Sequence, residues 1–453
     1  MSLGFYHRSS TVPNLKGTVP SRVGDIHKIS TQEVTMKTKV FLLVCLLILV
    51  ISGLSKAEVH FLVEPRLGLS TEYDDNIYFS SSEEISDLLF YLSPEIIGQL
   101  KSDTGSYFLD YEYQRVTYTH QSSRNSDRHY LTSEFSQKLG ENWSFYLKDN
   151  FMRSEDPIQI QEFIGNIKYE KLKYDYNEGE AYFNYSINED SFFRLSYHNM
   201  IFKNRSSIVE NTASHNPYLD LVYWFSIPWG IHLQLGENFG LFDYSPDFTE
   251  THGAVTLLHR IYLDTVCSLK FSFSSMNFEE QNPDYEIYDF SLGLNKNFSE
   301  TTTLALGTGY YYQNVRKLDN EDGISAYLTF IVDKEKYYLS VECSKGYDEI
   351  YFDGEDLGFS HYSVIGSIFN YYLSDKVSLS TRISYRKDKF PHVSPEIKEN
   401  TFIFDYSLNW KINKWLLSSL SYMHWNRSAN EEAYEYRDNR ITLNFTISKN
   451  FIW

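Results

Sequence analysis

The stretch from Arg440 to Trp453, RITLNFTISKNFIW, decides the fold because apolar and polar residues alternate along it. Successive side chains of a β-strand point to opposite faces, so this pattern predicts a strand with one apolar and one polar face. The apolar set is Ile441, Leu443, Phe445, Ile447, Phe451 and Trp453, and the polar set is Arg440, Thr442, Asn444, Thr446, Ser448 and Asn450. Lys449 interrupts the apolar set near its end, where a lysine can snorkel to a membrane surface.

The same alternation recurs from Val59 onward, for example at 267–274, 377–386 and 401–410. Short turns and longer polar stretches separate these segments in alternation, which is the plan of short periplasmic turns and longer extracellular loops. The longer stretches include Glu155–Lys173, Lys203–Asn216 and Asp348–Gly358. The sequence therefore predicts an all-β fold, a single transmembrane antiparallel β-barrel of about 20 strands, within a range of about 16 to 22.

Composition separates this fold from other classes of protein. The 453 residues are 42% hydrophobic with a mean hydropathy of −0.40, whereas a helical membrane bundle needs several apolar runs of about 20 residues. The 38 Tyr and 32 Phe suit a barrel with aromatic girdles and a lipid-facing surface. A net charge of −19 argues against nucleic-acid binding, which needs a basic surface.

A single long apolar run, Val40–Ile51, follows Met36-Lys37-Thr38-Lys39 and precedes Ser55-Lys56-Ala57. Two lysines, about a dozen apolar residues and small residues at the cleavage position form the plan of a secretory signal peptide. We therefore predict a mis-called extension at 1–35, a signal peptide at 36–57 cleaved after Ala57, and the barrel at 58–453. A genuine N-terminal tail at 1–35 stays open as the alternative. Residues 1–57 hold seven basic and two acidic residues, so the mature chain would carry −24. Export of a barrel indicates the outer membrane of a Gram-negative bacterium.

Three cysteines occur in the chain. Cys45 would leave with the signal peptide. Cys267 and Cys343 fall on the apolar faces of separate predicted strands, so no disulfide is predicted between them.

Two short motifs resemble the beta-barrel porin 2 family. The first strand, Phe61–Leu69 (FLVEPRLGL), continues into Tyr73–Tyr78 (YDDNIY), and the last strand begins with Asp438–Phe445 (DNRITLNF). Members of that family are outer-membrane barrels often associated with exopolysaccharide production and secretion. The resemblance implies a pore or export role and supplies no catalytic residues. Lys449 and the terminal Trp453 depart from the family's more common ending.

Charged residues of both signs are predicted to line the lumen. They are Arg115, Lys148, Arg194, Lys270, Arg382, Arg386, Arg440, Glu112, Glu178, Glu180, Asp289, Glu342 and Asp405. One interpretation is a water-filled lumen whose transverse field orients a hydrated solute. The other is that these charges pair and only keep the interior solvated and rigid. Neither sign dominates, so no strong ion selectivity is predicted.

Tyr146, Tyr182 and Tyr338 alternate onto the same polar face and suggest a sugar-stacking track, although girdle or packing tyrosines are the commoner explanation. The predicted loop at Asp348–Gly358 holds Asp348, Glu349, Asp353, Glu355 and Asp356. Their spacing does not match a calcium loop, so a solvated exterior loop is the simpler interpretation.

A lipid hydrolase is the remote alternative, because His361 and Ser363 stand two apart on one predicted strand face. No third catalytic partner can be assigned, and no zinc-spaced Cys/His cluster or Gly-rich phosphate loop occurs. We therefore predict no enzyme, no catalytic residues, no metal site and no cofactor.

The sequence thus favours a porin-like channel, with exopolysaccharide or other hydrated solutes as cargo. A surface adhesive barrel acting through its acidic loops is the alternative. The expected partners are outer-membrane lipid and lipopolysaccharide, polysaccharide, and the assembly machinery, which would read the C-terminal strand ending at Trp453.

Overall fold

The computed structural model describes residues 59–155, 173–205, 210–279, 283–316, 318–350, 358–393 and 395–453. The predicted extension at 1–35 and signal peptide at 36–57 lie outside the described residues. So do most of the loop Glu155–Lys173 and the tip of the loop Asp348–Gly358, including Asp353, Glu355 and Asp356.

Strands make up nearly all of the described chain. They are β1 (His60–Asp74), β2 (Asp87–Lys101), β3 (Gly105–Tyr118), β4 (Ser126–Lys138), β5 (Trp143–Ser154), β6 (Tyr174–Ser186), β7 (Phe192–Asn204), β8 (Thr212–Trp224), β9 (Trp229–Phe242), β10 (Phe248–Tyr262), β11 (Thr265–Phe278), β12 (Tyr285–Ser299), β13 (Thr302–Val315), β14 (Glu321–Lys334), β15 (Tyr337–Ile350), β16 (Gly358–Ser374), β17 (Val377–Phe390), β18 (Ile397–Lys411), β19 (Leu416–Ala429), β20 (Tyr436–Ser448) and the two-residue β21 (Phe451–Ile452). Two single-turn 3₁₀ helices lie at Ser122–Arg124 and Glu432–Tyr434. In the part of the chain that the structure describes, no helix is long and apolar enough to cross a membrane.

Each strand pairs antiparallel with the next along the chain, and the last pairs with the first. The closing ladder runs from Asp74 opposite Arg440 to Arg66 opposite Ser448, and Leu62 and Val63 pair with β21. Closure gives each of the twenty described strands a partner on both sides, as a sheet in an apolar environment requires. The predicted fold class is confirmed: the chain forms a closed antiparallel barrel of twenty strands, with β21 continuing β20.

The connections also alternate in length. Within the strand bounds above, nine connections have two to five residues and ten have five to nineteen. The end of the barrel that carries the ten connections is called the loop end here, and the opposite end the turn end.

One predicted loop, Lys203–Asn216, is too long. β8 begins at Thr212 and contains Pro217. Proline has no N–H for a sheet ladder, which is why its neighbourhood suggests a loop. The ladder between β8 and β9 has a gap between His215 and Tyr218, and Pro217 lies in this gap.

The register defines two faces around the barrel. Contacts that skip a strand identify the inner face: Arg386 on β17 reaches Asp348 on β15 at 2.9 Å, across β16. The outer face carries large exposed apolar side chains, with Leu69 and Phe90 each about half exposed. Cys267 and Cys343 are both free and lie on this face, in register with Leu294 and Leu328.

The two chain ends of the barrel meet at the turn end. Phe61 and Trp453 exchange two backbone hydrogen bonds of 2.9 and 3.0 Å. Their rings stack 5.7 Å apart, and Trp453 also stacks on Phe451 at 6.0 Å. The terminal aromatic residue is therefore part of the seam that closes the barrel.

Candidate functional site

The inner face collects most of the residues that were predicted to line the lumen. By register, the residues on this face are Glu112, Tyr146, Lys148, Glu178, Glu180, Tyr182, Arg194, Lys270, Asp289, Tyr338, Glu342, Arg382, Arg386, Asp405 and Arg440. Tyr338 lies on β15 and is not on a strand neighbouring β5 or β6. The three tyrosines therefore do not form one continuous track.

Arg115 is placed differently from its prediction. It pairs in register with Leu92 on the outer face, where its guanidinium lies 2.9 Å from Asp127. Glu112 and Arg115 are three residues apart, and an odd spacing puts two residues of one strand on opposite faces. Arg115 is close to the loop end of β3. Its charge can therefore reach water beyond the apolar part of the outer face.

Buried ion pairs surround the inner wall near the loop end. Arg427 donates to both carboxylate oxygens of Glu399 at 2.7 and 2.8 Å, with both side chains less than a tenth exposed. Arg386 contacts Asp388 at 2.7 Å and is 4% exposed. Such charges are costly to bury unless they are paired and hydrogen-bonded. Arg386 is therefore held by Asp388 and Asp348 within the wall and is little exposed to the lumen.

Arg440 takes part in a further ion pair of the inner wall near the loop end. Its Nε lies 2.7 Å from Asp438 and 3.4 Å from Asp74. The carboxylates of Asp74, Asp75 and Asp438 come within 4.8 Å of one another, a spacing that could hold a cation. The Arg440 guanidinium offsets one of the two buried negative charges, and the Asn439 side chain donates to Asp75 at 2.7 Å. These contacts make the cluster part of the hydrogen-bond and ion-pair network at the closing seam.

The first long loop folds into the mouth of the barrel. Ile77 packs against the inner residues Leu89 and Val116, and it is 2% exposed. Phe79 packs against Trp425 and Tyr436 on the other side of the closing seam. Phe79 adopts a φ of +54°, a conformation that costs a bulky residue roughly 1–3 kcal/mol and persists where packing enforces it.

A second segment, the loop end of the β15–β16 hairpin, also bends inward. β14 stays paired with β13 down to Glu321, but its pairing with β15 stops at Lys345. Beyond that residue Tyr347 packs on Tyr311 of β13, with ring centroids 4.8 Å apart. The Tyr285 hydroxyl of β12 donates to Glu349 at 2.6 Å. The hairpin end thus lies over the inner wall of β12–β14.

This placement corrects the interpretation of Asp348 and Glu349 as members of a solvated exterior loop. β15 extends through both residues, and each meets a partner on a strand that is not its neighbour, Arg386 and Tyr285 respectively. Sequence reasoning missed Tyr285 and Tyr311. The available signal was the aromatic residues Tyr347, Phe359 and His361, which flank the predicted exterior loop Asp348–Gly358.

His361 fastens the same hairpin. Its Nδ1 lies 2.6 Å from the Tyr311 hydroxyl and its Nε2 lies 2.9 Å from Glu321. Both ring nitrogens are therefore engaged away from Ser363, which pairs in register with Lys345 and Lys387. The nucleophile–base contact that a hydrolase needs is not formed by these two residues.

The loop after β17 completes the inward packing. His392 Nε2 lies 3.1 Å from Gln313 Oε1 on the inner face of β13, and its ring lies 6.0 Å from that of Phe359. Burial lowers the pKa of His392 below its usual value, although the carboxylates of Glu321 and Asp319 oppose this shift.

The arc from β4 to β9 carries a different inner surface. Tyr146 and Tyr182 stack 4.8 Å apart, and the Arg194 guanidinium lies 4.6 Å from the Tyr182 ring. Lys148 meets Glu134 at 3.3 Å with about a third of each side chain exposed. His198 and Glu178 are paired at 2.9 Å and are similarly exposed. These polar groups remain accessible from the lumen, in contrast to the buried ion pairs near the loop end.

Comparisons with known proteins give matches among solved structures alone. No family model matches the chain, and no curated protein matches it in sequence. Among solved structures, the siderophore receptor PirA from Pseudomonas aeruginosa is 10% identical, with 85% of this chain and 80% of that chain covered and a TM-score of 0.48. OpdQ from the same organism is 9% identical, with 87% and 98% covered and a TM-score of 0.40. The outer membrane protein OpdK is 8% identical, with 87% and 99% covered and a TM-score of 0.39. At these identities the likeness concerns barrel architecture alone.

Proposed function

We propose that the chain is a porin-like outer-membrane channel that conducts hydrated solutes. One observation carries this proposal: the inner face of a closed barrel of twenty strands is polar, and its β4–β9 arc keeps ion pairs and tyrosines partly exposed. Barrels of 16–18 strands already leave an aqueous channel. The inward-folded segments described above contact the inner faces of β2, β3, β12–β14 and β18–β20, so the conducting path would follow the β4–β9 arc.

Placement in the outer membrane is part of this proposal. The apolar outer face supports it, as do the short turns at one end and the longer connections at the other. The predicted signal peptide with cleavage after Ala57 supplies the route of export. The Trp453 seam would present the terminal strand to the assembly machinery.

Exopolysaccharide remains the proposed cargo that follows from the family resemblance. The Tyr146–Tyr182 stack beside Arg194 supports it, because sugars bind to aromatic surfaces flanked by hydrogen-bonding groups. The inner wall balances acidic with basic side chains, which suits a hydrated carbohydrate better than a small ion of one sign.

Solute flux into liposomes tests this function. Proteoliposomes would be challenged with neutral and anionic oligosaccharides of graded length, and swelling would be recorded. We expect swelling with short oligosaccharides of both kinds and a slower rate for Tyr182→Ala. Swelling equal to that of empty liposomes for every solute would contradict the channel. Equal rates for Tyr182→Ala and the wild type would contradict the sugar cargo alone. Tyr338→Ala is the matched control, since Tyr338 shares the inner face but not the stack.

A further inference from the structure

The outer face of β3–β7 carries a group of basic side chains beside the loop end. This group, called the basic rim here, consists of Arg115, Arg153, Lys173, Lys203 and Arg205. The acidic side chains next to it among the described residues are Asp127, Asp175 and Glu155, and Glu155 is paired with the buried Arg128 at 2.8 Å. A local excess of positive charge stands out in a chain whose net charge is −19.

The charges of the basic rim are only partly balanced. Arg153 donates to both oxygens of Asp175 at 2.7 and 3.1 Å. Arg205 shares the same carboxylate at 3.3 and 3.4 Å. The Asp175 carboxylate carries one negative charge and the two guanidinium groups carry two positive charges. Arg153, Arg205 and Asp175 together therefore keep one net positive charge. Arg153 is 38% and Arg205 49% exposed, which leaves further N–H donors of both side chains accessible.

The basic rim is concave at this point. A cleft of about 280 Å³ is lined by three basic side chains, two acidic side chains and two neutral ones: Arg153, Lys173, Arg205, Asp127, Glu155, His129 and Ser154. The buried Arg128 guanidinium lies 2.8 Å from Glu155 and offsets its charge. Guanidinium groups bind phosphate through paired N–H donors, and a group of them recognises phosphate better than a single lysine does. A cleft of this composition fits one or two phosphate groups.

The row of outer-face residues next to the cleft is apolar on β4, β5 and β7, with Asn177 between them on β6. Leu131 and Phe151 are register partners on the same outer face, one step toward the turn end from His129 and Arg153. Ile201 continues this row on β7, opposite Asn177. A ligand that fills the cleft and follows the wall would therefore have an anionic head and an apolar tail.

We propose that the basic rim binds the phosphorylated headgroup of an outer-leaflet glycolipid, with its acyl chains on Leu131, Phe151 and Ile201. The inference rests on the orientation of the barrel in the membrane, with its loop end outside, and not on conduction through the lumen. A free phosphate would meet the same donors but would gain nothing from the apolar row.

Native mass spectrometry of the protein, purified in detergent, tests the proposal. The probes are a bis-phosphorylated lipid A, the same lipid without its phosphates, and inorganic phosphate. We expect the phosphorylated lipid to bind about tenfold more tightly than the dephosphorylated lipid, because charge-assisted hydrogen bonds are lost with the phosphates. The triple variant Arg153→Gln, Asp175→Asn, Arg205→Gln should lose the same factor. It removes the net positive charge of these three side chains, and the Asp175 carboxylate is not left without its partners.

A matched control exists elsewhere on the outer rim. Glu396 is shared by Lys389 and Lys398 at 3.1 and 2.7 Å, and the variant Lys389→Gln, Glu396→Gln, Lys398→Gln should bind lipid A like the wild type. Equal loss in both variants would overturn the proposal, because it would indicate non-specific attraction. Unchanged binding in the Arg153 variant would overturn it, and so would displacement of the lipid by inorganic phosphate at comparable concentration. Heat-modifiable migration in gels would verify that each variant is folded.

Discussion

The hydroxyl of Tyr285 donates a 2.6 Å hydrogen bond to Glu349, although the two residues lie on β12 and β15, which are not neighbours in the barrel. Side chains can meet across two intervening strands only on the concave side. The bond therefore marks the point where the β15–β16 hairpin leaves the wall and lies over the lumen. Together with His361 and the Tyr311–Tyr347 contact, it holds the hairpin end against the inner wall of β12–β14.

Removing the Tyr285 hydroxyl should loosen this hairpin. The substitution Tyr285→Phe deletes one hydrogen bond to a carboxylate, which contributes roughly 1.5–3 kcal/mol. We expect a larger mean conductance and more frequent current fluctuations in planar bilayers. Tyr288→Phe is the matched control, since Tyr288 donates to Glu286 on the outer face of the same strand at 2.9 Å. Identical current traces for wild type and Tyr285→Phe would show that the bond does not hold the hairpin.

Acidification should release the loop at His392. Because burial lowers the pKa of His392, the folded protein binds fewer protons at this site than the unfolded chain does. The contribution of the site to stability is therefore complete above the unfolded value of about 6.5 and is lost as the pH falls below it. We expect the contacts with Gln313 and Phe359 to weaken over that range, with a rise in channel fluctuations.

The variant His392→Gln should lack this part of the pH response. Glu321, His361 and Asp319 also face the site, so some dependence on pH should remain. The variant His60→Gln, at an exposed position where β1 begins, is the control. Its channel fluctuations should depend on pH as those of the wild type do. A His392→Gln protein with the full wild-type response would show that another group controls the loop.

The buried pair of Arg427 and Glu399 should be far more sensitive to single than to double substitution. Arg427→Met leaves a carboxylate buried without its main partner, and we expect a loss of about 3–5 kcal/mol in the free energy of unfolding. The double variant Arg427→Met, Glu399→Met should recover most of this loss, because it buries no charge. Urea unfolding of the refolded barrel measures both. Equal loss in the single and double variants would contradict the assignment of a structural ion pair.

Trp453 should matter for assembly more than other exposed tryptophans do. Trp453→Ala removes a ring that stacks on Phe61 at the closing seam, so we expect less folded barrel in the outer membrane. Trp415→Ala, in a turn and 50% exposed, should assemble normally. The ratio of folded to unfolded protein in gels without heating gives the comparison. Normal amounts of folded Trp453→Ala would show that Trp453 is not part of the signal that the assembly machinery reads.

The alternation of Ile441 and Thr442, repeated along the chain, was enough to predict the fold class and the strand number. This works because the period of a strand is a local constraint that is repeated twenty times, and a membrane-spanning sheet must close. The same rule also placed Tyr182 and Arg194 together on one face. Arg115 was expected inside together with Glu112, although a spacing of three residues puts the two on opposite faces, and Arg115 lies on the outer rim.

The inward hairpin could not be predicted from this pattern. Glu349 finds Tyr285 across 64 residues of sequence, and a contact between strands that are not neighbours leaves no periodic trace. The acidic residues around Glu349 suggested a solvated loop, because carboxylates are rarely placed inside without a visible partner. In the structure the partners, Arg386 and Tyr285, come from other parts of the wall.

Single-channel recording in planar bilayers tests most directly whether the barrel is an open channel. We expect a stable ohmic conductance for the wild type with little ion selectivity, and a larger conductance for the variant that combines Tyr285→Phe with His361→Ala. No conductance in either protein, at any voltage and with the barrel shown to be folded, would contradict the assignment of a channel.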